Sequence, residues 1–170
     1  MRVISGRYRG MTLSGFNGND IRPTADRVKE SLFNIISDRV AGARVLDAFC
    51  GSGSLGIECL SRGAEFVHFN DKSAESVALC KKNLMRIEGN YKVTCADFSR
   101  AAGEFDLIFI DPPYASEAGV AALSLAARIL SGNGIAVYER DRSFSGEIAG
   151  LEKYDERKYG RTYLTFFKRS

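Results

Sequence analysis

From Arg44 to Glu139 the chain alternates between two patterns. The runs RVLDAF, EFVHFN, YKVTC, FDLIFID and GIAVYE are short and rich in β-branched and aromatic residues, as strands are. Between them lie SLGIECLSRG, SAESVALCKKNLMRI and GVAALSLAARIL, whose apolar residues recur at helical spacing. Strands joined through helices run parallel, and a parallel sheet must be covered on both faces. The alternation therefore predicts an α/β fold built on a mostly parallel sheet. LEKYDERKYGRTYLTFFKR then divides into two strand-like halves around Tyr159–Gly160, an antiparallel hairpin that brings the strand count to seven.

Two segments precede this region. RVISGRYRGMTLSGF alternates and carries glycines, which predicts a small basic β-hairpin. RPTADRVKESLFNIISDRV predicts a helix capped by Thr24, with Val28, Leu32, Ile35 and Ile36 as its apolar stripe. Residues 1–21 are expected as an N-terminal appendage and 22–170 as the main domain, one domain in all.

Composition narrows the function classes. An apolar fraction of 45% and a charged fraction of 26% are ordinary for a globular protein in water. No apolar run is long enough to span a bilayer, and the first residues lack a secretory signal, so a cytoplasmic location is expected. Cys50, Cys59, Cys80 and Cys95 are scattered and His68 is the only histidine, so no metal site is expected. His68, alternating with apolar neighbours, is expected to be structural. The net charge of +3 is unevenly placed: residues 1–30 carry six Lys/Arg against three Asp/Glu, and 153–170 carry six against two. Basic ends around an acidic centre suit a polyanion held by the ends.

Ligands of such sheets sit beyond the carboxyl ends of the strands. There DAFCGSGSLG places Gly51, Gly53 and Gly56 in a G-x-G-x-x-G pattern ahead of a helix. Asp47, four residues before Gly51, would repel a pyrophosphate but suits a cation such as the ammonium of S-adenosylmethionine. Asp71 lies 20 residues beyond Gly51, where a carboxylate can take both ribose hydroxyls. Asp97 could accept from an adenine amino group, or serve only as a turn residue, and Phe98 could pack on the ring. The next strand ends in DPPY. Asp111 and the Pro112 carbonyl can each accept one hydrogen of an aromatic amine, which favours the pyramidal nitrogen that attacks a methyl group. The prolines fix both acceptors in advance, and Tyr114 can stack on the base.

The DPPY tetrapeptide resembles the catalytic motif of S-adenosylmethionine-dependent amino methyltransferases, and DAFCGSG resembles their cofactor motif. RVISGRYRG, RPTADRVKESLFNII, GSGSLGIECLSRGA and KYGRTYLTFFK are similar to segments of the bacterial 16S ribosomal RNA guanine-N2-methyltransferases, across almost the whole chain. The resemblance implies a Rossmann-like class I methyltransferase fold and transfer of a methyl group to N2 of one guanine of 16S rRNA. The expected substrate is rRNA within the small subunit or an assembly intermediate, and the protein is expected to act as a monomer. It implies Asp111, Pro112, Pro113 and Tyr114 as the catalytic motif. Asp47, Phe49, Gly51, Gly53, Asp71, Lys72, Asp97 and Phe98 are implied around the cofactor. Arg7, Arg9, Arg22, Thr24, Arg27, Lys158 and Arg161 are implied near RNA or the substrate pocket. Asp71 stands where the family pattern has glutamate, and the segment after DPPY is short.

Other readings compete. DPPY also serves adenine-N6 and cytosine-N4 methylation of DNA, though the chain has no room for a sizeable separate DNA-recognition domain. A nucleotide- or RNA-binding module without catalysis would not need both motifs. A nicotinamide oxidoreductase has nothing to recommend it beyond the glycines.

Overall fold

The computed structural model describes residues 1–16, 23–113 and 117–170, the side chains of residues 23 and 24 excepted. Seven strands form one sheet: β1 (Arg44–Asp47), β2 (Phe66–Asp71), β3 (Tyr91–Cys95), β4 (Phe105–Ile110), β5 (Leu130–Arg140), β6 (Leu151–Tyr159) and β7 (Thr162–Arg169). Their order is β3-β2-β1-β4-β5-β7-β6. The first five are parallel, and β7 and β6 add the antiparallel hairpin. The expected α/β class, strand count and terminal hairpin are all present.

Among the described residues four α-helices flank the sheet: α1 (Pro23–Ile35), α2 (Ser54–Ser61), α3 (Ala74–Leu84) and α4 (Ala118–Ile129). Alternation along each strand sends side chains to opposite faces. Val45, Phe69, Leu107, Phe109 and Val137 meet Leu32 and Phe33 of α1, Ile57 of α2 and Cys80 of α3. Leu46, Ile108, Ile110, Ala136 and Tyr138 instead meet Leu123 and Ala126 of α4.

Helix α1 departs from expectation at both ends. It begins at Pro23, so Thr24 lies inside the first turn rather than capping it. Proline is favoured at that first position because its missing N–H has no partner there in any case. Ile35 is exposed and Phe33 is fully buried in its stead. The α-helix stops at Ile35 and a 3-10 turn at Ser37–Arg39 rotates Val40 into the core.

The N-terminal hairpin is present in reduced form, closed by the single bridge Arg2↔Thr12. The reason lies in where its amides go. Ile4 and Ser5 donate their N–H groups to the Glu58 carboxylate of α2, at 2.8 and 3.0 Å. Arg7 N–H donates to the Ser61 carbonyl at 2.8 Å. The ribbon is thus bonded to α2 as well as to itself, and Val3 and Leu13 enter the core.

Candidate functional site

The sheet reverses its order between β1 and β4, the neighbouring strands that are far apart in sequence. A crevice opens at such a point because the loops leaving the two strands turn to opposite faces. β1 ends at Asp47, and Asp111 follows β4. Both line a cavity of about 520 Å³ that also takes in Phe49, Cys50, Gly51, Asp71, Lys72 and Pro113. The glycine loop and the DPP segment, 60 residues apart along the chain, therefore share one chamber.

Hydrogen bonds set the glycine loop. Cys50 N–H donates to Asn70 O at 2.9 Å and Gly53 N–H to Cys50 O at 2.7 Å, which closes a tight turn. Gly53 takes the left-handed conformation, φ +82°, just before α2. Gly56 lets the helix lie on β2: a Cβ there would come within 2.2 Å of Phe69 Cε1. Asp71 holds the loop from the side, accepting from Gly51 N–H at 3.0 Å through Oδ2 and from Ser73 N–H at 2.9 Å through Oδ1. Each of its oxygens keeps a lone pair for a further donor.

Three carboxyls of the chamber are raised above the usual carboxylate range. Asp47 is buried, and burial pushes it up to about 7 against the opposing Gly56 N–H, which donates to its Oδ2 at 3.1 Å. Asp111 is exposed inside the chamber, yet the surrounding walls exclude enough water to raise it to about 6. Glu139, at the end of β5, is raised to about 8 by the same desolvation and then by the charge of Asp111. Such a lining repels phosphate and attracts cationic groups, which lower the cost of ionising the carboxyls.

Helix α1 roofs the chamber with Ala25, Val28, Lys29 and Leu32. Lys29 is 4% exposed and has all its needs met: Nζ donates to Arg2 O at 2.6 Å and to Ser54 Oγ at 3.0 Å, and pairs with Glu58 at 3.3 Å. Burial lowers its pKa, while Glu58 works the other way. This lysine joins the N-terminal ribbon to the first residue of α2.

The remaining residues implied by sequence fall in different places. Phe49 lines the chamber and packs on Phe98, their ring centroids 5.3 Å apart. Asp97 is exposed beside that ring pair and caps the 3-10 turn at Phe98–Arg100 through Ser99 N–H, which with the Ser99 side chain lowers its pKa. Lys158 and Arg161 flank the β6–β7 turn, at the carboxyl edge of the sheet, next to the chamber-lining Thr162. Arg27 is exposed on the outer side of α1. Arg7 lies at the opposite, amino edge, paired with Glu88, and Arg9 is exposed on the same ribbon. Arg22, Tyr114 and the Thr24 side chain lie outside the described residues.

Sequence reasoning missed Lys29 and Glu139. Lys29 sits within the stripe of Val28, Leu32 and Ile36, a charge in the middle of an apolar face. Glu139 ends a strand at the ligand edge, as Asp47 and Asp71 do, and the same rule points to it. His68 is structural as expected, bonded to Thr94 Oγ1 at 2.8 Å. Cys50 is held well above the usual thiol range by a hydrogen bond with Cys80 and by burial, so it is an inert wall. Among the described residues no group of His, Cys, Asp and Glu is arranged to hold a metal ion.

Known proteins share this architecture. YlbH of Bacillus subtilis, provisionally named as an rRNA methyltransferase, is 37% identical over 182 residues, covering 99% of either chain. Ribosomal RNA small subunit methyltransferase D of Haemophilus influenzae is 37% identical over 134 residues, 74% of this chain and 69% of its own length. The solved structure of yhhF from Escherichia coli, provisionally named as a methyltransferase, superposes with a TM-score of 0.88 at 28% identity. That superposition covers 100% of this chain and 98% of the other. A family model described as "Conserved hypothetical protein 95" matches residues 1–168, and the chain belongs to that family.

Proposed function

We propose that this protein is an S-adenosylmethionine-dependent methyltransferase that methylates the exocyclic N2 amine of a guanine in 16S rRNA. The observation that carries the reading is the shared chamber: Asp47 and Asp71 around the glycine loop, and Asp111 of the DPP segment, open into one volume. The names of the relatives support rRNA as the acceptor.

The chamber fits the cofactor by its donor set. Asp47 would hold the ammonium, the free lone pairs of Asp71 the ribose hydroxyls, and Phe49 with Phe98 the adenine. Asp97, beside that ring pair, would take the adenine amino group. Lys72 and the loop amides border the same space. When bound, the cofactor supplies an electrophilic methyl group on a sulfonium.

The protein's own residues do the rest. The Asp111 carboxylate accepts one N2 hydrogen and the Pro112 carbonyl the other, so the nitrogen lone pair is directed away from the ring and toward the methyl group. Pro112 is buried and Pro113 follows it, which holds both acceptors in place before the base arrives. α1 and the chamber walls exclude water, which strengthens these hydrogen bonds. Tyr114 would stack on the base. The guanine must be unpaired or turned out of its helix to reach Asp111. Lys158 and Arg161 at the rim suit the flanking phosphates, with Arg27 and the ribbon arginines available to a larger RNA surface. We further read the substrate as the small subunit or its assembly intermediate, and the enzyme as a cytoplasmic monomer. Among the described residues no helix is long and apolar enough to cross a membrane.

The test is transfer of a labelled methyl group to free 16S rRNA, unmodified small subunits and DNA, side by side. Label on N2 of one guanine is the expected result. Label on DNA alone would overturn the reading in favour of an adenine or cytosine enzyme.

A further inference from the structure

Glu139 takes no part in the scheme above, yet its place in the sheet ties it to Asp111. β4 and β5 are parallel neighbours with Ile110 opposite Tyr138. The next residue on each strand is Asp111 and Glu139. Ile110 and Tyr138 both point into the α4 side of the core, so alternation turns Asp111 and Glu139 to the other face together. Both line the chamber. Adjacent strands lie about 4.8 Å apart, so the two side chains stand side by side at the chamber wall. The Glu139 carboxyl meets no donor or cation among the described residues; only burial and Asp111 act on it.

An aromatic amine held at Asp111 has ring nitrogens beside it, and these differ between bases. Guanine places N1–H, a donor, next to its N2 amine. Adenine places N1, and cytosine N3, next to theirs, and both are bare acceptors. A carboxylate in the neighbouring position completes a hydrogen bond with guanine and faces a lone pair on the other two bases. The Asp111 motif alone does not distinguish these amines. The residue beside it can.

We propose that Glu139 is a specificity-determining residue that accepts a hydrogen bond from N1–H of the substrate guanine while Asp111 holds the N2 amine. The proposal rests on the guanine-N2 reading of the same chamber. It places base choice in a pair of side chains on adjacent strands. A site built around a hydrogen bond rejects an analogue lacking that donor strongly, because the buried acceptor is left unpaired.

The experiment, run at about pH 9, above the value of about 8 to which Glu139 is raised, compares two RNA hairpins carrying the methylated sequence, one with guanine at the target and one with 2-aminopurine. 2-Aminopurine keeps the N2 amine but has an unprotonated N1. For the wild-type protein, kcat/KM with 2-aminopurine is expected to be lower by about a hundredfold. In Glu139→Gln the side chain can donate as well as accept, so this preference is expected to shrink by about tenfold or more, with S-adenosylmethionine affinity kept. Glu139→Ala should likewise lose the preference. An unchanged preference in both variants, with cofactor binding intact, overturns the role of Glu139 and leaves the guanine-N2 reading standing. Failure of the wild-type protein to methylate the guanine hairpin, full-length rRNA and unmodified small subunits alike overturns that reading, and the proposal with it.

Discussion

Asp71 at the end of β2 accepts the backbone N–H of Gly51 at 3.0 Å, which couples the second strand to the turn that follows the first. The same carboxylate accepts from Ser73 N–H ahead of α3. One side chain therefore fixes two loops of the chamber and still faces its interior. The short side chain suits this double duty, because both loops are drawn to it.

Replacing Asp71 by alanine should remove the ribose contact and release Gly51. Affinity for S-adenosylmethionine, measured by titration calorimetry, is expected to fall by about ten- to a hundredfold, as for loss of charge-assisted hydrogen bonds. RNA affinity should change by less than about threefold. An equal loss of both would make Asp71 a structural carboxylate only.

Asp111 carries a different expectation, because its carboxyl faces the chamber without fixing a loop. Asp111→Ala should bind S-adenosylmethionine within about threefold of the parent while single-turnover methyl transfer drops by about a hundredfold or more, the cost of one preorganised acceptor at the reacting atom. A variant that retains most of its transfer rate would remove Asp111 from the chemistry.

Much of this arrangement was legible in the chain, for a physical reason. Strand and helix periodicities differ, and the turns between them carry glycine and proline, so the order of elements and the seven strands could be read. The carboxylates that end strands were visible because a charge has no packing reason to stand there. Other features depend on contacts that no local pattern encodes. The ribbon of residues 1–16 alternates like a hairpin, but Glu58 competes for its amides. The position of Arg7 likewise follows from Ser61 and Glu88, which hold it at the amino edge. Glu139 ends its strand at the same edge, but only the pairing of Ile110 with Tyr138 sets it beside Asp111.

Asp47 sets a pH dependence whose sign follows from its raised pKa. The folded protein holds a proton on Asp47 up to about pH 7, whereas an unfolded chain releases it near 3.8. Between these values the folded state binds more protons, so stability falls as pH rises and levels off above about 7. At about 1.4 kcal/mol per pH unit the span is worth at most about 4 kcal/mol. Asp111 and Glu139 act in the same direction, Glu139 up to about pH 8. Thermal melts from pH 5 to 8 should therefore show a falling Tm, with a shallower fall in Asp47→Asn. Added S-adenosylmethionine should raise Tm more at pH 8 than at pH 5, because its cationic groups favour the ionised carboxylates. A pH-independent Tm would mean that Asp47 is not desolvated as described.

Lys29 and Glu58 supply the last prediction, one of stability. Glu58 is fully buried and accepts from Ile4 and Ser5 amides, Arg62 and Lys29 at once. Lys29→Met keeps the volume of the roof but leaves the Arg2 carbonyl and Ser54 hydroxyl without their shared donor, and Glu58 with one cation in place of two. Breaking a buried pair from one side costs about 3–5 kcal/mol, and the remaining Arg62 bond holds this case near the lower figure. Denaturant unfolding should show a loss of about 3 kcal/mol for Lys29→Met. The double variant Lys29→Met, Glu58→Gln should recover part of that loss, because the surplus negative charge is then gone. Amide exchange should locate the damage at Ile4 and Ser5, whose N–H groups donate to Glu58, before it reaches β1 or β4. Loss spread evenly over the sheet, with no recovery in the double variant, would assign Lys29 to general packing of the roof and not to the strap that joins the ribbon to the start of α2.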